Sequence, residues 1–174
     1  MSAALEWTAL GGLAGVAAIW DVKQGRVPNT VTFAAAAAGA VTSMILHGPG
    51  ALPSSLLGCL VGLVLFLPLF AMGGMGAGDV KLLAAFGAWL GPITVLWAAI
   101  YASLVGGVMA LVVAALHGYL ADAFRNLAVV ALIWRGGGQA PLAGLTLADS
   151  RGPRLAYAVP IGIGALLAFW FAQS

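Results

Sequence analysis

The chain has 174 residues and five carboxylic acids, and two of the five are placed where an acid is costly. Asp21 ends the first long apolar run and Asp79 opens a later one. Glu6, Asp122 and Asp149 lie near run ends or in polar stretches, where a solvated charge is expected. An ionisable group at membrane depth is a functional candidate by default. Two carboxylates that share a water can hydrolyse an amide. Like charges a few ångströms apart do not both ionise readily, so one keeps its proton. The ionised group takes a proton from water, and the protonated one donates to the developing oxyanion. Each aspartate also has a plainer reading: Asp79 as a helix N-cap, Asp21 as a boundary charge. The glycines weigh against the plain readings. Gly76-Ala77-Gly78 stands directly before Asp79. Residues without Cβ admit a close backbone approach by a substrate strand and permit positive φ.

The elements that must hold these acids follow from composition. Lys+Arg number 7 and Asp+Glu 5, so charged residues make up 7% of the chain. A soluble domain carries roughly 25%. Hydrophobic residues reach 63% and mean hydropathy is +1.08. A soluble domain of this size has too much surface to hide so much apolar material. Disorder is excluded because there is too much to bury. The class that remains is an all-α polytopic membrane protein, one domain over residues 1–174. Six spans are expected, at about 3–20, 30–46, 52–72, 80–90, 93–116 and 155–172. The fourth run is short, with a rise of roughly 16 Å. Pro68 is expected to kink the end of the third span, and Gly91-Pro92 to turn the chain between the fourth and fifth. Residues 117–154 form a cytoplasmic or interfacial segment whose first part, from Tyr119 to Arg135, reads as an amphipathic helix in the membrane interface.

Orientation follows from the basic residues. With six spans, all seven (Lys23, Arg26, Lys81, Arg125, Arg135, Arg151 and Arg154) fall on one side. The positive-inside rule makes that side cytoplasmic and puts both termini outside. Residues 1–20 hold no Lys or Arg, so the first run reads as a retained helix rather than a cleaved signal. Gly11/Gly15 and Gly58/Gly62 are small-xxx-small pairs expected at helix contacts. Cys59, the single cysteine, reads as a small buried apolar residue. His47 and His117 lack partner ligands at a recognisable spacing, so no metal or other cofactor is expected. A net charge of +2 gives no ground for nucleic-acid binding.

These residues carry a family resemblance. Gly76-Ala77-Gly78-Asp79-Val80-Lys81 resembles the GxGD signature of the prepilin peptidases, membrane aspartic proteases that process type IV pilins. Asp21-Val22-Lys23 with Arg26-Val27-Pro28-Asn29 resembles the first aspartate motif of that family, and residues 154–162 resemble the start of its last span. The resemblance implies that Asp21 and Asp79 are the catalytic pair. It implies that Gly76 and Gly78 shape the active-site loop, and that Pro28 and Asn29 fix the turn into the second span. Lys23 and Lys81 match family positions, with no role assignable from sequence beyond lipid headgroup contact. Lys81 is two residues from Asp79, so on a helix it points elsewhere.

The chain lacks the cytoplasmic insertion and paired cysteines of the long members, which also N-methylate the cleaved pilin, and this speaks against methyl transfer. Pro28-Asn29 stands where long members tend to have Pro-Asp. Both features are similar to the short form that serves Flp/Tad-type pili; the archaeal preflagellin peptidases are short as well. The function implied is removal of a short basic leader from prepilin-like subunits at the cytoplasmic face of a bacterial inner membrane, with those prepilins and membrane lipid as partners. Two rival readings stay open: a small proton- or ion-coupled transporter using Asp21 and Asp79 as a relay, and a non-catalytic subunit of a secretion machine.

Overall fold

The computed structural model describes residues 2–72, 74–118, 120 and 156–173. All regular structure among them is helical: α1 (Ser2–Gln24), α2 (Asn29–His47), α3 (Leu52–Ala71), α4 (Ala77–Leu116) and α5 (Ala158–Ala172), with a 3₁₀ turn at Pro49–Ala51. The chain divides into two compact units, Met1–Gly106 with Ala156–Ser174, and Gly107–Leu155. Of the second unit, the described part is the end of α4, the turn at His117 and Gly118, and Leu120. The interfacial helix expected from Tyr119 to Arg135 lies outside the described residues, apart from Leu120.

Glycine and proline set the boundaries. Gly25 has φ 66° and ends α1; its N–H donates to the Asp21 carbonyl at 2.7 Å. Pro28 is extended, and its carbonyl accepts the N–H groups of Val31 and Thr32 to open α2. Gly48, with φ 84°, ends α2. Pro68 falls in the last turn of α3, and the Met72 N–H donates to its carbonyl at 3.0 Å. The expected turn at Gly91-Pro92 is a break inside α4: Gly91 takes φ 76° and ψ 175°, and helix resumes at Pro92. The runs at 80–90 and 93–116 are therefore two arms of one element. The first arm starts three residues earlier than the apolar pattern suggests, because the glycine-rich turn Ala77-Gly78-Asp79 is already helical.

Among the described residues three helical stretches are long and apolar enough to cross a membrane: Asn29–His47, Pro49–Ala71 and Ala77–Leu116. The protein is thus an all-helical membrane protein. α5 is apolar but shorter, and α1 carries Glu6, Asp21 and Lys23 within its 23 residues. Outward-facing Ile45, Phe33, Ile93 and Leu60 are exposed, as lipid-facing side chains must be.

In the first unit the first arm of α4 is central, with Leu82, Leu83 and Phe86 fully buried. α3 runs antiparallel to it, because Gly62 meets Leu83 while Gly58 meets Gly87. The Ser55 hydroxyl donates to the Ala88 carbonyl at 2.6 Å across the same contact. α2 runs parallel to the arm: the Trp89 indole lies on Gly39 and donates to the Ala35 carbonyl at 2.9 Å. α5 is antiparallel to α1, where Gly162 meets Ala14, and to the second arm, where Gly164 meets Ala98 and Ala102. Trp7 of α1 packs edge-on to Phe169 of α5 at 5.0 Å, at the end remote from Asp21.

The two glycine pairs part company. Gly58 and Gly62 of α3 meet α4 directly, whereas a Cβ at Gly11 or Gly15 would touch nothing within 4 Å. The Gly11/Gly15 pair thus makes no helix contact among the described residues. Cys59 is half-buried rather than buried.

A Cβ on Gly87 would strike the backbone carbonyl of Gly58, which cannot rotate away. Gly87→Ala is expected to cost about 1–3 kcal/mol through overpacking. Gly11→Ala should be neutral, or stabilising by up to about 1 kcal/mol through helix propensity. Thermal or SDS unfolding midpoints of the two variants in detergent check this. Equal midpoints would contradict the packing assignment.

Candidate active site

Four chain segments meet at one end of the first unit. They are the last turn of α1, the loop into α2, the first turn of α4 and the start of α5. Asp21 and Asp79 both lie here, 7% and 8% exposed.

Asp21 sits near the C-terminus of α1, where the helix dipole disfavours a negative charge. A second helix offsets this: Asp21 Oδ2 accepts the N–H of Ala158, the first residue of α5, at 2.9 Å. That amide is one of the free donors at a helix N-terminus. Asp79 lies in the first turn of its own helix. Its Oδ2 accepts the Gly76 N–H at 3.2 Å, and its own N–H donates to the Gly76 carbonyl at 3.1 Å. This is the reach-back half of a capping box, with Gly76 at the cap position and Asp79 third in the helix. Asp79 is therefore not itself the N-cap.

The two glycines have distinct tasks. A Cβ on Gly76 would stand 3.1 Å from Asp79 Oδ2, so the missing side chain leaves the carboxylate its place over the helix end. A Cβ on Gly78 would stand 3.3 Å from both the N and the O of Val27, so its absence lets the α1–α2 loop lie against α4. Neither glycine has positive φ. The positive φ expected at Gly76 and Gly78 is thus absent, and both glycines serve close approach instead.

Each carboxylate commits one oxygen to a backbone amide. The other oxygen accepts no hydrogen bond from the described residues, and no buried side-chain N or O atom is left unpaired, so that oxygen is open to solvent. The two carboxyl groups are near enough to act electrostatically on each other. Among the described residues no lysine or arginine pairs with either of them.

The supporting residues divide. Pro28 places Asn29 at the start of α2. Lys81 donates from Nζ to Asn29 Oδ1 at 3.0 Å and stands 5.7 Å from the Phe33 ring centroid. Lys81 thus has a contact with α2 that the sequence did not assign. Lys23 is exposed and bonds to none of the other candidate residues. Tyr157 is missing from the sequence-derived candidates. It precedes α5 directly, half-buried, and lies in the field of Asp79. Its one sequence signal is its place at the head of the last apolar run. No group of three or more His, Cys, Asp or Glu residues among the described residues is placed to hold a metal.

Asp21 and Asp79 are thus two buried acids at one end of the first unit, with no lysine or arginine paired to either among the described residues. The chain belongs to the type IV leader peptidase family, whose family model matches residues 8–111. It is accordingly a prepilin peptidase, an aspartic-type endopeptidase. The match includes both aspartates and ends before Tyr157. Neither a curated protein nor a solved structure matches the chain.

Gly76→Ala should displace the Asp79 carboxylate by a few tenths of an ångström and break the hydrogen bond it accepts from the Gly76 N–H. Positional errors near 1 Å cost on the order of 100-fold in rate, so a loss of roughly ten- to hundredfold in leader cleavage is expected. The unfolding midpoint should move less than in Gly87→Ala. Cleavage at the parental rate would show that the glycine does not set the carboxylate.

Proposed function

We propose that Asp21 and Asp79 are the catalytic pair of this peptidase. The observation that carries the reading is the state of the two carboxylates. Each is fixed by one backbone amide, neither pairs with a lysine or arginine among the described residues, and each keeps one oxygen that accepts no hydrogen bond from those residues. In this reading the two carboxyl groups share one proton. The ionised aspartate takes a proton from water as the water oxygen bonds to the scissile carbonyl carbon. The protonated aspartate gives its proton to the carbonyl oxygen, which yields a gem-diol. On collapse, the newly protonated aspartate passes its proton to the leaving nitrogen and the C–N bond breaks. The other aspartate takes a proton from the diol, and the pair returns to its starting state.

We further infer six membrane crossings, with both termini on the non-cytoplasmic side of the bacterial inner membrane and the acid pair facing the cytoplasm. The two arms of α4 count as separate crossings, and the first arm is short. Lys23, Arg26 and Lys81 support this orientation, because all three described basic residues lie in the segments that carry the acids. Arg125, Arg135, Arg151 and Arg154 lie outside the described residues. The substrate in this reading is a prepilin-like subunit whose apolar helix stays in the bilayer while its short basic leader reaches the acids. Pro28-Asn29 and the lone Cys59 favour the short Flp/Tad-type form, acting without N-methylation. Family membership favours this reading over the transporter and scaffold alternatives.

Asp21→Asn and Asp79→Asn should each abolish leader removal, by at least about three orders of magnitude given what acid–base groups contribute. The protein should still insert in the membrane. Co-expression with a prepilin and a mobility assay for leader loss reads this out. Normal processing by either variant would remove that aspartate from the mechanism.

A further inference from the structure

We propose that Lys81 and Asn29 form a clamp that sets the spacing of the two aspartates, so that Lys81 is a positioning residue and not a counter-charge. The clamp rests on the reading of Asp21 and Asp79 as the catalytic pair.

The two aspartates lie on separate helices, and their motifs touch at two places. One is the backbone contact of Gly78 with Val27, where any Cβ on Gly78 would meet Val27 N and O at 3.3 Å. The other is the Lys81–Asn29 bond of 3.0 Å. Val27 and Asn29 flank Pro28, while Gly78 and Lys81 flank Asp79 on the first turns of α4. The backbone contact is repulsive at short range and limits how near the loop comes. The side-chain bond is attractive and limits how far it goes. Together they bracket one distance.

The ammonium of Lys81 is committed to α2 on two counts. Asn29 and Phe33 are four residues apart, so they share one face of α2. The ammonium bonds the first and stands 5.7 Å from the ring centroid of the second. Neither aspartate forms an ion pair with it. Asn29 in turn is held at the helix start by Pro28, and its carbonyl accepts the Thr32 hydroxyl at 3.1 Å. The clamp thus joins α4 to the N-terminus of α2, from which the chain runs back through buried Val27 and the Gly25 cap to Asp21.

The test uses the full chain in detergent or vesicles with a prepilin substrate, and compares Lys81→Met, Asn29→Ala, the double variant and Lys81→Arg. Three results are expected. Lys81→Met and Asn29→Ala each lower kcat roughly tenfold or more, with KM changed much less, as mispositioning requires. The double variant is no slower than the slower single one, because both remove one contact. Lys81→Arg, which keeps a donor, regains most of the loss. Amide hydrogen exchange of residues 25–27 gives a readout independent of turnover: it should quicken in Lys81→Met and Asn29→Ala and return in Lys81→Arg. Additive losses, or unchanged exchange in both single variants, would overturn the clamp. So would a displaced pH–rate profile in Lys81→Met alone, since that is the mark of a charge acting on the carboxylates. If Asp79→Asn still processes substrate, the catalytic pair fails, and the exchange comparison still decides whether the clamp exists.

Discussion

Everything at this site depends on keeping two carboxylates buried at one end of an apolar unit, with no lysine or arginine paired to either among the described residues. A neighbouring lysine would be the simplest way to stabilise such groups, and it would also hold both acids ionised and idle. The solution here is backbone. Asp79 draws on the free amide at the start of its own helix, and Asp21 on the free amide at the start of α5. Helix-terminal amides carry partial positive charge but no titratable proton. They fix one oxygen of each acid and leave the other without a hydrogen bond from the described residues.

That solution constrains the topology. A carboxylate in the last turn of α1 can reach the N-terminus of α5 only if the two helices are antiparallel and in close register. Small residues provide that closeness, with Ala14 against Gly162. The same logic governs the other acid. Asp79 projects from a first arm whose Leu82, Leu83 and Phe86 are fully buried, and whose Gly87 touches Gly58 backbone to backbone. An arm packed this tightly on α3 and α2 has little freedom to shift, so the first turn of α4 stays where its packing puts it.

Much of this is legible in the sequence, and the illegible parts share a cause. Scarcity of charge singles out Asp21 and Asp79, because a carboxylate in apolar sequence needs a reason. Gly25 and Pro28 mark a helix stop and a helix start by local backbone chemistry, which sequence records directly. The partner of a glycine is not recorded. Gly11/Gly15 and Gly58/Gly62 look alike, yet only the second pair meets another helix, because contact depends on which way the face turns. Gly76 and Gly78 look like a flexible loop, yet one makes room for a carboxylate and the other for a neighbouring strand of chain. The Asn29–Lys81 bond spans 52 positions, and no local rule pairs those two side chains. Tyr157 is hidden for the same reason, since its neighbour Asp79 is 78 positions away in the chain.

One conflict remains, between what a membrane asks of this end of the protein and what the acids ask. Orientation by the positive-inside rule needs lysine and arginine beside the short loops. Acid chemistry needs those same charges kept off the carboxylates. Both motifs resolve it with one spacing: Lys23 follows Asp21 by two residues, and Lys81 follows Asp79 by two. Each pair lies on a helix, and two residues turn the direction of a side chain by about 200°. The acid then faces inward while the lysine faces away. Asp21 is buried and Lys23 exposed; Asp79 is buried and Lys81 reaches across to α2. A spacing of three or four would set the ammonium over the carboxylate. The Asp-x-Lys pattern therefore keeps a positive charge within two residues of each acid and still leaves both acids without a lysine or arginine partner among the described residues.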